Sequence, residues 1–256
     1  MTPQEALDTL IWAADSGRSA IAAIDDWGPS GKRETQYNTD VAADSAIIEA
    51  LVAEGFGILS EEAGRIHADR SLTAVLDPID GSTNAALGLP WFATSICLVD
   101  AEGPWVSLVL DQASGQTCTA IRGGGAFIDG RPMQRRQAPL LSEAIVAISG
   151  LPPKSLGWAQ FRAYGAVALD LTAVARGVFD GFVDCSPDAH GVWDYLGASL
   201  VCSELGIPVV DALGRDLMIL DHDARRTPVC GADQALLEEL LVARHDAFAS
   251  STNPQR

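Results

Sequence analysis

The sequence is poor in positive charge. Its 17 lysines and arginines face 34 aspartates and glutamates, which gives a formal net charge of −17 at pH 7. A chain with this charge is repelled by polyanions, so nucleic acid and anionic membrane surfaces are not expected as partners.

Long apolar runs are also missing. No stretch approaches the roughly 18 consecutive apolar residues that a membrane-spanning helix needs. The first eight residues, Met-Thr-Pro-Gln-Glu-Ala-Leu-Asp, contain neither the basic region nor the apolar core of a signal peptide. We therefore expect a cytoplasmic protein without a membrane partner.

Cysteine and histidine are sparse and scattered. The five cysteines are odd in number and include no Cys-x-x-Cys pair, which favours a reduced, cytoplasmic protein. The four histidines form no His-Glu-x-x-His motif or other closely spaced set. A histidine-rich zinc site is therefore not expected.

The sequence does have enough apolar content for a large core, since 48% of its 256 residues are hydrophobic. Apolar residues recur at helical spacing in residues 3–24 and 40–54, and short apolar runs between turn signals predict strands through residues 91–128. A strand at 144–149 is expected to open a second, smaller half, with further helices from 169, 193 and 232. We predict a mixed α/β (α+β) fold with halves at 1–137 and 138–256.

The most informative stretch runs from Asp77 to Asn84 and reads Asp-Pro-Ile-Asp-Gly-Ser-Thr-Asn. A buried strand is predicted at 73–76, and Pro78, which has no N–H to donate, is expected to end its pairing. Two carboxylates would then lie at the strand end, followed by consecutive backbone N–H groups at the start of a helix. Such a stretch could hold a divalent metal beside a phosphate, or it could be an ordinary tight turn.

Asp77–Asn84 resembles the signature of the inositol monophosphatase family, which are magnesium-dependent, lithium-sensitive phosphomonoesterases. Two further segments resemble the family in the same order, Leu-Ser-Glu-Glu at 59–62 and Trp-Asp-Tyr-Leu-Gly-Ala at 193–198. The resemblance implies an α-β-α-β-α layered sandwich of the inositol monophosphatase and fructose-1,6-bisphosphatase type. It also implies a homodimer that acts on a small phosphorylated polyol or sugar.

The resemblance further implies two or three Mg²⁺ ions per active site. The first would be held by Glu61, Asp77 and the Ile79 carbonyl, and the second by Asp77, Asp80 and Asp194. Hard oxygen ligands of this kind suit magnesium. Two more residues are implied near the metals: Glu62, in the second shell or near an optional third ion, and Lys32, in a flap at 25–40. A solvated loop lysine is an equally good interpretation of Lys32.

For the reaction itself, the resemblance implies that Asp44 pairs with the Ser82 hydroxyl and that the two orient an attacking water. Substrate contacts would be made by seven residues: Gly81, Ser82, Thr83, Gly165, Ala166, Val167 and Asp184. The family usually has a serine where this chain has Ala166, and inositol phosphatases often have a glutamate near Asp184. We therefore expect a loose grip on the alcohol.

Several functions stay open on the sequence alone. Inositol 1-phosphate is one substrate, and histidinol phosphate, fructose 1,6-bisphosphate and 3′-phosphoadenosine 5′-phosphate are alternatives within the family. A metal-binding regulatory protein that kept the fold without turnover is an alternative of another class. The full set of acids, Glu61, Asp77, Asp80 and Asp194, argues for the enzyme.

Overall fold

A computed structural model of the chain describes residues 1–31 and 36–251; Lys32 and most of the C-terminal tail lie outside these ranges. The helices within them are α1 (Pro3–Ala22), α2 (Asn38–Ala53), α3 (Ser82–Leu87), α4 (Val167–Ala175), α5 (Val192–Glu204) and α6 (Gln234–Ser251). In the same ranges, no helix is both long enough and apolar enough to cross a membrane.

Two β-sheets carry the architecture. The first has eight strands in the spatial order β2-β1-β3-β4-β5-β6-β7-β8, and the second has five in the order β10-β9-β11-β13-β12. The strands of the first sheet are β1 (Gly57–Ser60), β2 (Gly64–Ile66), β3 (Thr73–Asp80), β4 (Ala93–Asp100), β5 (Gly103–Asp111), β6 (Thr117–Ile121), β7 (Gly125–Ile128) and β8 (Arg131–Pro132). Those of the second are β9 (Ile145–Ser149), β10 (Gln160–Arg162), β11 (Gly181–Asp184), β12 (Val209–Asp211) and β13 (Pro228–Gly231).

Helices and sheets alternate in five layers. Helices α1 and α2 cover one face of the first sheet, α4 and α5 lie between the sheets, and α6 covers the outer face of the second. Helix α1, for example, buries Ala6, Leu7 and Leu10. The α-β-α-β-α sandwich is thereby confirmed. One apolar cluster runs continuously from the first sheet through α4 and α5 to the second, so the division at 137/138 stays a prediction.

Local sequence explains where the helices begin. Thr2 and Glu5 form a capping box at the start of α1, with Pro3 in the first turn, where its missing N–H costs nothing. The structure places α2 at Asn38–Ala53, two residues earlier than the apolar spacing predicts. Asp40 is therefore the third residue of the helix and still lies in its first turn.

Candidate active site

Strand β3 is buried along its whole length and runs through Pro78 to Asp80. The prediction that Pro78 ends the pairing is therefore wrong. The strand continues because its pairing with β4 is irregular between Asp77 and Asp80, so the missing N–H of Pro78 falls where no regular ladder bond is made. The hydroxyl of Thr94 on β4 donates to the Pro78 carbonyl at 2.7 Å, and Gln112 donates to that hydroxyl at 2.7 Å.

This bulge directs two acids to one place, and helix α5 adds a third. Carboxylate oxygens of Asp77, Asp80 and Asp194 all lie within 4.8 Å of one another. Asp194 lies in the first turn of α5, where its Oδ2 accepts a 2.8 Å hydrogen bond from the Gly191 N–H. Asp80 is held from another side, since its Oδ2 accepts the Ala168 N–H at the start of α4 at 2.6 Å. The predicted acids of the second metal position are thus brought together.

Glu61 joins this cluster from the end of β1. Its N–H donates to the Leu76 carbonyl at 3.0 Å, and its carboxyl group interacts electrostatically with that of Asp77. Burial raises the pKa of Glu61, and the charge of Asp194 raises it further. Burial likewise raises the pKa values of Asp77 and Asp80, with added repulsion from Glu61 and Asp194 respectively.

The donor set fits a divalent cation. Oδ1 of Asp77 is buried and has no hydrogen-bond partner among the described residues, although it lies within a cluster of acids. Crowded carboxylates of one sign are costly to bury unless a cation balances them. Carboxylate oxygens, with no cysteine or histidine in the cluster, are the ligands that Mg²⁺ prefers. Ile79 lies inside the bulge, between two of these acids.

The predicted partner of Ser82 must be corrected. Asp44 Oδ1 accepts the hydroxyl of Ser60 at 2.5 Å, which directs its carboxylate toward β1. The carboxylate beside Ser82 is Asp40, one helical turn earlier on α2, and the Ser82 hydroxyl lowers the pKa of Asp40. The net effect on that pKa is nevertheless a rise to about 7, because burial outweighs the hydrogen bonds from Tyr37 and Ser82.

The two oxygens of Asp40 have different surroundings. Oδ2 accepts the Tyr37 N–H at 2.8 Å, as in a helix N-terminus. Oδ1 is buried and has no partner at hydrogen-bond geometry among the described residues. The sequence reasoning did not include Asp40 among the candidate site residues.

The turn that follows β3 packs tightly against the segment that precedes α4. Gly81 has a positive φ of 86°, and a Cβ there would lie 3.0 Å from both the Ala166 Cβ and the Trp91 carbonyl oxygen. Ser82 and Thr83 then open α3. The Asn84 amide donates to the carbonyls of Trp91 and Tyr164 at 2.8 and 2.6 Å. The predicted phosphate-side and alcohol-side segments are therefore neighbours.

On the alcohol side, the predicted contact of Asp184 with the substrate stays a prediction. Its side chain is fully buried; Oδ1 accepts the Ser186 N–H at 2.7 Å, and Oδ2 lies 3.5 Å from Nε2 of His190. The other imidazole nitrogen, Nδ1, is 3.2 Å from Oδ2 of Asp194, so His190 lies between the two acids. Burial alone would lower the pKa of His190, but Asp194 and Asp184 raise it above its ordinary value.

His190 is a second residue that the sequence reasoning missed. The spacing of the histidines from one another gives no signal for this contact, but His190 precedes Asp194 by four residues. Of the remaining predicted residues, Gly165 has a positive φ of 81°, Ala166 precedes α4 and Val167 begins it. Glu62 accepts a hydrogen bond from the Gln36 amide, and its N–H donates to the Ser60 hydroxyl at 3.0 Å.

Comparison with known proteins identifies the family of the chain. The sequence model of the inositol monophosphatase family matches residues 4–248. A Thermococcus kodakarensis relative named fructose-1,6-bisphosphatase/inositol-1-monophosphatase is 29% identical over 218 residues, which is 83% of this chain and 83% of the relative. The Escherichia coli protein named Nus factor SuhB is 32% identical over 202 residues, covering 72% of this chain and 74% of the relative.

A solved structure supports the fold independently. A hypothetical protein from Pyrococcus horikoshii, described as having similarities to inositol-1 monophosphatase, superposes with a TM-score of 0.86. It is 23% identical, and the match covers 94% of this chain and 99% of the other.

Proposed function

The chain belongs to the inositol monophosphatase family and is a phosphoric monoester hydrolase; on that premise we propose that it is a Mg²⁺-dependent phosphatase of small polyol and sugar phosphates, inositol 1-phosphate among them. The observation that carries the proposal is the meeting of Asp77, Asp80 and Asp194 within 4.8 Å of one another. The family is metal-dependent, and this cluster is where a metal would be held. We also propose that the protein is cytoplasmic and forms a homodimer.

Two sets of groups would hold the metal ions. Glu61, Asp77 and the Ile79 carbonyl would hold one, and Asp77, Asp80 and Asp194 the other. When bound, Mg²⁺ supplies a Lewis acid that makes a water more acidic and neutralises charge on the phosphate and on the departing alkoxide. A third ion near Glu62 is optional and is not needed for the proposed reaction.

The chain's own residues complete the reaction. Asp40 and Ser82 would orient the water that attacks phosphorus, and Asp40 Oδ1, buried without a partner at hydrogen-bond geometry among the described residues, is positioned to accept its proton. Backbone N–H groups of Gly81, Ser82 and Thr83 would receive phosphate oxygens. No covalent enzyme intermediate is needed.

Recognition of the alcohol is expected to be loose. The segment Gly165, Ala166 and Val167 lies against Gly81 and offers no side-chain hydroxyl. Asp184 is fully buried, with Oδ1 bonded to the Ser186 N–H and Oδ2 at 3.5 Å from His190. We therefore propose that inositol 1-phosphate and at least one sugar phosphate are hydrolysed within roughly tenfold in kcat/KM, a range of about 1.4 kcal/mol.

The test is a panel of phosphomonoesters assayed with Mg²⁺ and with EDTA. It should contain inositol 1-phosphate, fructose 1,6-bisphosphate, histidinol phosphate and 3′-phosphoadenosine 5′-phosphate. Hydrolysis that needs Mg²⁺ and spans several polyol or sugar esters is the expected result. A preference of a thousandfold for one ester would contradict the loose alcohol site, and absence of turnover on all of them would contradict the function.

Lithium offers a further prediction for the same assay. A small oxygen-lined position formed by Asp77, Asp80 and Asp194 should accept Li⁺ in competition with Mg²⁺. We expect inhibition at millimolar order, relieved by added Mg²⁺. Turnover that needs Mg²⁺ but ignores lithium would show that this position does not bind small monovalent cations.

A regulatory role is the second candidate, because a relative 32% identical to this chain is named Nus factor SuhB. Measuring both turnover and Mg²⁺ binding distinguishes a catalytic role from a regulatory one. If the protein has no turnover with any ester although it binds Mg²⁺ in a calorimeter, the regulatory interpretation is favoured.

A further inference from the structure

The loop of residues 217–226, between β12 and β13, is fixed on both sides of Asp194. At its start, the Leu217 carbonyl accepts the Tyr195 hydroxyl at 2.9 Å. At its end, Arg226 forms a backbone bridge with His190, with N···O distances of 2.8 and 3.2 Å. Tyr195 follows Asp194 directly and His190 contacts its carboxylate, so the loop follows the segment that carries this acid.

The middle of the loop reaches the first half of the chain. Nε2 of His222 lies 3.1 Å from the Glu61 carbonyl oxygen, and Arg65 donates to the Leu220 carbonyl at 2.8 Å. The Glu61 N–H is already bonded to the Leu76 carbonyl. The backbone of Glu61 is therefore held on one side by β3 and on the other by His222.

The imidazole of His222 is itself held in place. Its ring stacks on Trp193, with centroids 4.9 Å apart and planes tilted by 33°. The Arg225 guanidinium lies 5.1 Å from the same Trp193 ring and donates to the His222 carbonyl at 2.8 Å. Because Trp193 precedes Asp194, one continuous series of contacts joins Glu61 to Asp194.

We propose that His222 is a positioning residue that fixes Glu61 relative to Asp194 through the loop of residues 217–226. The inference rests on the proposed function, in which these two acids hold metal ions. They come from different halves of the chain, and like charges favour their separation. A donor locked onto the Glu61 carbonyl fixes the direction of its side chain before a metal binds, so less ordering remains for the ion to impose.

The experiment measures Mg²⁺ binding by titration calorimetry on protein stripped with EDTA, with no substrate present. His222→Phe keeps a ring on Trp193 and removes the N–H, whereas His222→Gln keeps an N–H donor and removes the ring. We expect Mg²⁺ to bind His222→Phe roughly fivefold more weakly, the effect of one lost hydrogen bond, and His222→Gln within about twofold of wild type. The control is His245→Phe at an exposed histidine.

Two further results are expected. The melting temperature in EDTA should be the same for the Phe and Gln variants, and the kcat of His222→Phe should recover at saturating Mg²⁺. Unchanged Mg²⁺ affinity in His222→Phe overturns the inference, as does an affinity loss that merely follows the unfolded fraction in EDTA. Failure of the proposed function looks different: wild-type protein would then hydrolyse no ester, whatever the variants do to metal binding.

Discussion

At the scale of the residue, Asp40 and Asp44 lie one helical turn apart and contact different parts of the fold. Both are buried acids on the same face of α2, four positions apart. Asp44 meets Ser60 on β1, whereas Asp40 meets Ser82 at the entry to α3. In the proposed function, Asp40 is therefore the acid that acts on a water next to the phosphate.

Asparagine at each position tests this assignment with a matched pair. Asp40→Asn keeps the shape but removes the proton acceptor, so kcat should fall by roughly 100-fold or more. Asp44→Asn keeps an acceptor for the Ser60 hydroxyl and should stay within about tenfold of wild type. Steady-state kinetics at saturating Mg²⁺ measures both. A larger loss of kcat in Asp44→Asn than in Asp40→Asn would instead support the predicted pairing of Asp44 with Ser82.

Asp80→Asn separates the two roles of a buried acid. It removes one negative charge from the cluster, so the metal-free protein should unfold at a higher temperature than wild type. It also removes a metal ligand, so the transition state should lose about 4 kcal/mol of stabilisation. Phosphatase activity should then fall roughly a thousandfold. Calorimetric scans with EDTA and with Mg²⁺, alongside kinetics, check both. Wild-type turnover in this variant would rule out the site.

The sequence alone predicts the acids that a motif fixes and fails where packing decides. Asp77 and Asp80 are three residues apart in one distinctive stretch, and the structure brings both to Asp194. The choice between Asp40 and Asp44 depends on which face of α2 meets the turn after β3, and helical periodicity cannot separate positions one turn apart. His190 also contacts residues on β9 and β11, which the sequence cannot show, and only its contact with Asp194, four positions later, has a local signal.

At the scale of the element, the bulge in β3 sets the geometry of the acids. Pro78 was expected to stop the strand, but its position in an irregular stretch lets the pairing resume at Asp80. The Thr94 hydroxyl holds the bulge by its donation to the Pro78 carbonyl. A neighbouring strand thus supports the spacing of Asp77 and Asp80.

Thr94→Val should weaken this support. The substitution keeps the branched shape, but it leaves the buried Gln112 amide without its Thr94 acceptor and the Pro78 carbonyl without its donor. We expect a loss of about 1–3 kcal/mol in the free energy of unfolding, together with weaker Mg²⁺ binding. Urea unfolding and calorimetry measure the two effects. Thr94→Ser keeps the hydroxyl and is the control; equal losses in both variants would show that the methyl group matters instead.

At the scale of the whole molecule, lowering the pH has two opposing effects on the free energy of unfolding. Protonating exposed carboxylates reduces self-repulsion in a chain with a net charge of −17. Protonating Asp211, in contrast, destabilises the fold. Its buried side chain accepts hydrogen bonds from the Arg215 guanidinium and from the backbone N–H groups of Leu213, Arg215 and Thr227, which hold the loop after β12 against β13.

The pH dependence follows from the charge of Asp211. Burial alone would raise its pKa, but the bonds from Arg215 and Thr227 lower it from 3.8 to about 2. A carboxylate with a lowered pKa in the fold stabilises the protein above its unfolded pKa near 4, and this stability is lost as pH falls toward 2. The full difference would be about 2.5 kcal/mol, and screening at the partly exposed Arg215 reduces it to about 1–2 kcal/mol.

Asp211→Asn is therefore expected to lower the free energy of unfolding by about 1–2 kcal/mol at pH 7. The difference from wild type should shrink between pH 4 and pH 2, because there wild-type Asp211 itself becomes protonated. Urea unfolding across this range, in EDTA so that metal binding does not contribute, measures the difference. Asp15→Asn, at an exposed position on α1, is the matched control and should show no such trend. A difference that stays constant from pH 7 to pH 2 would mean that lost hydrogen-bond geometry, and not the charge of Asp211, stabilises this part of the fold.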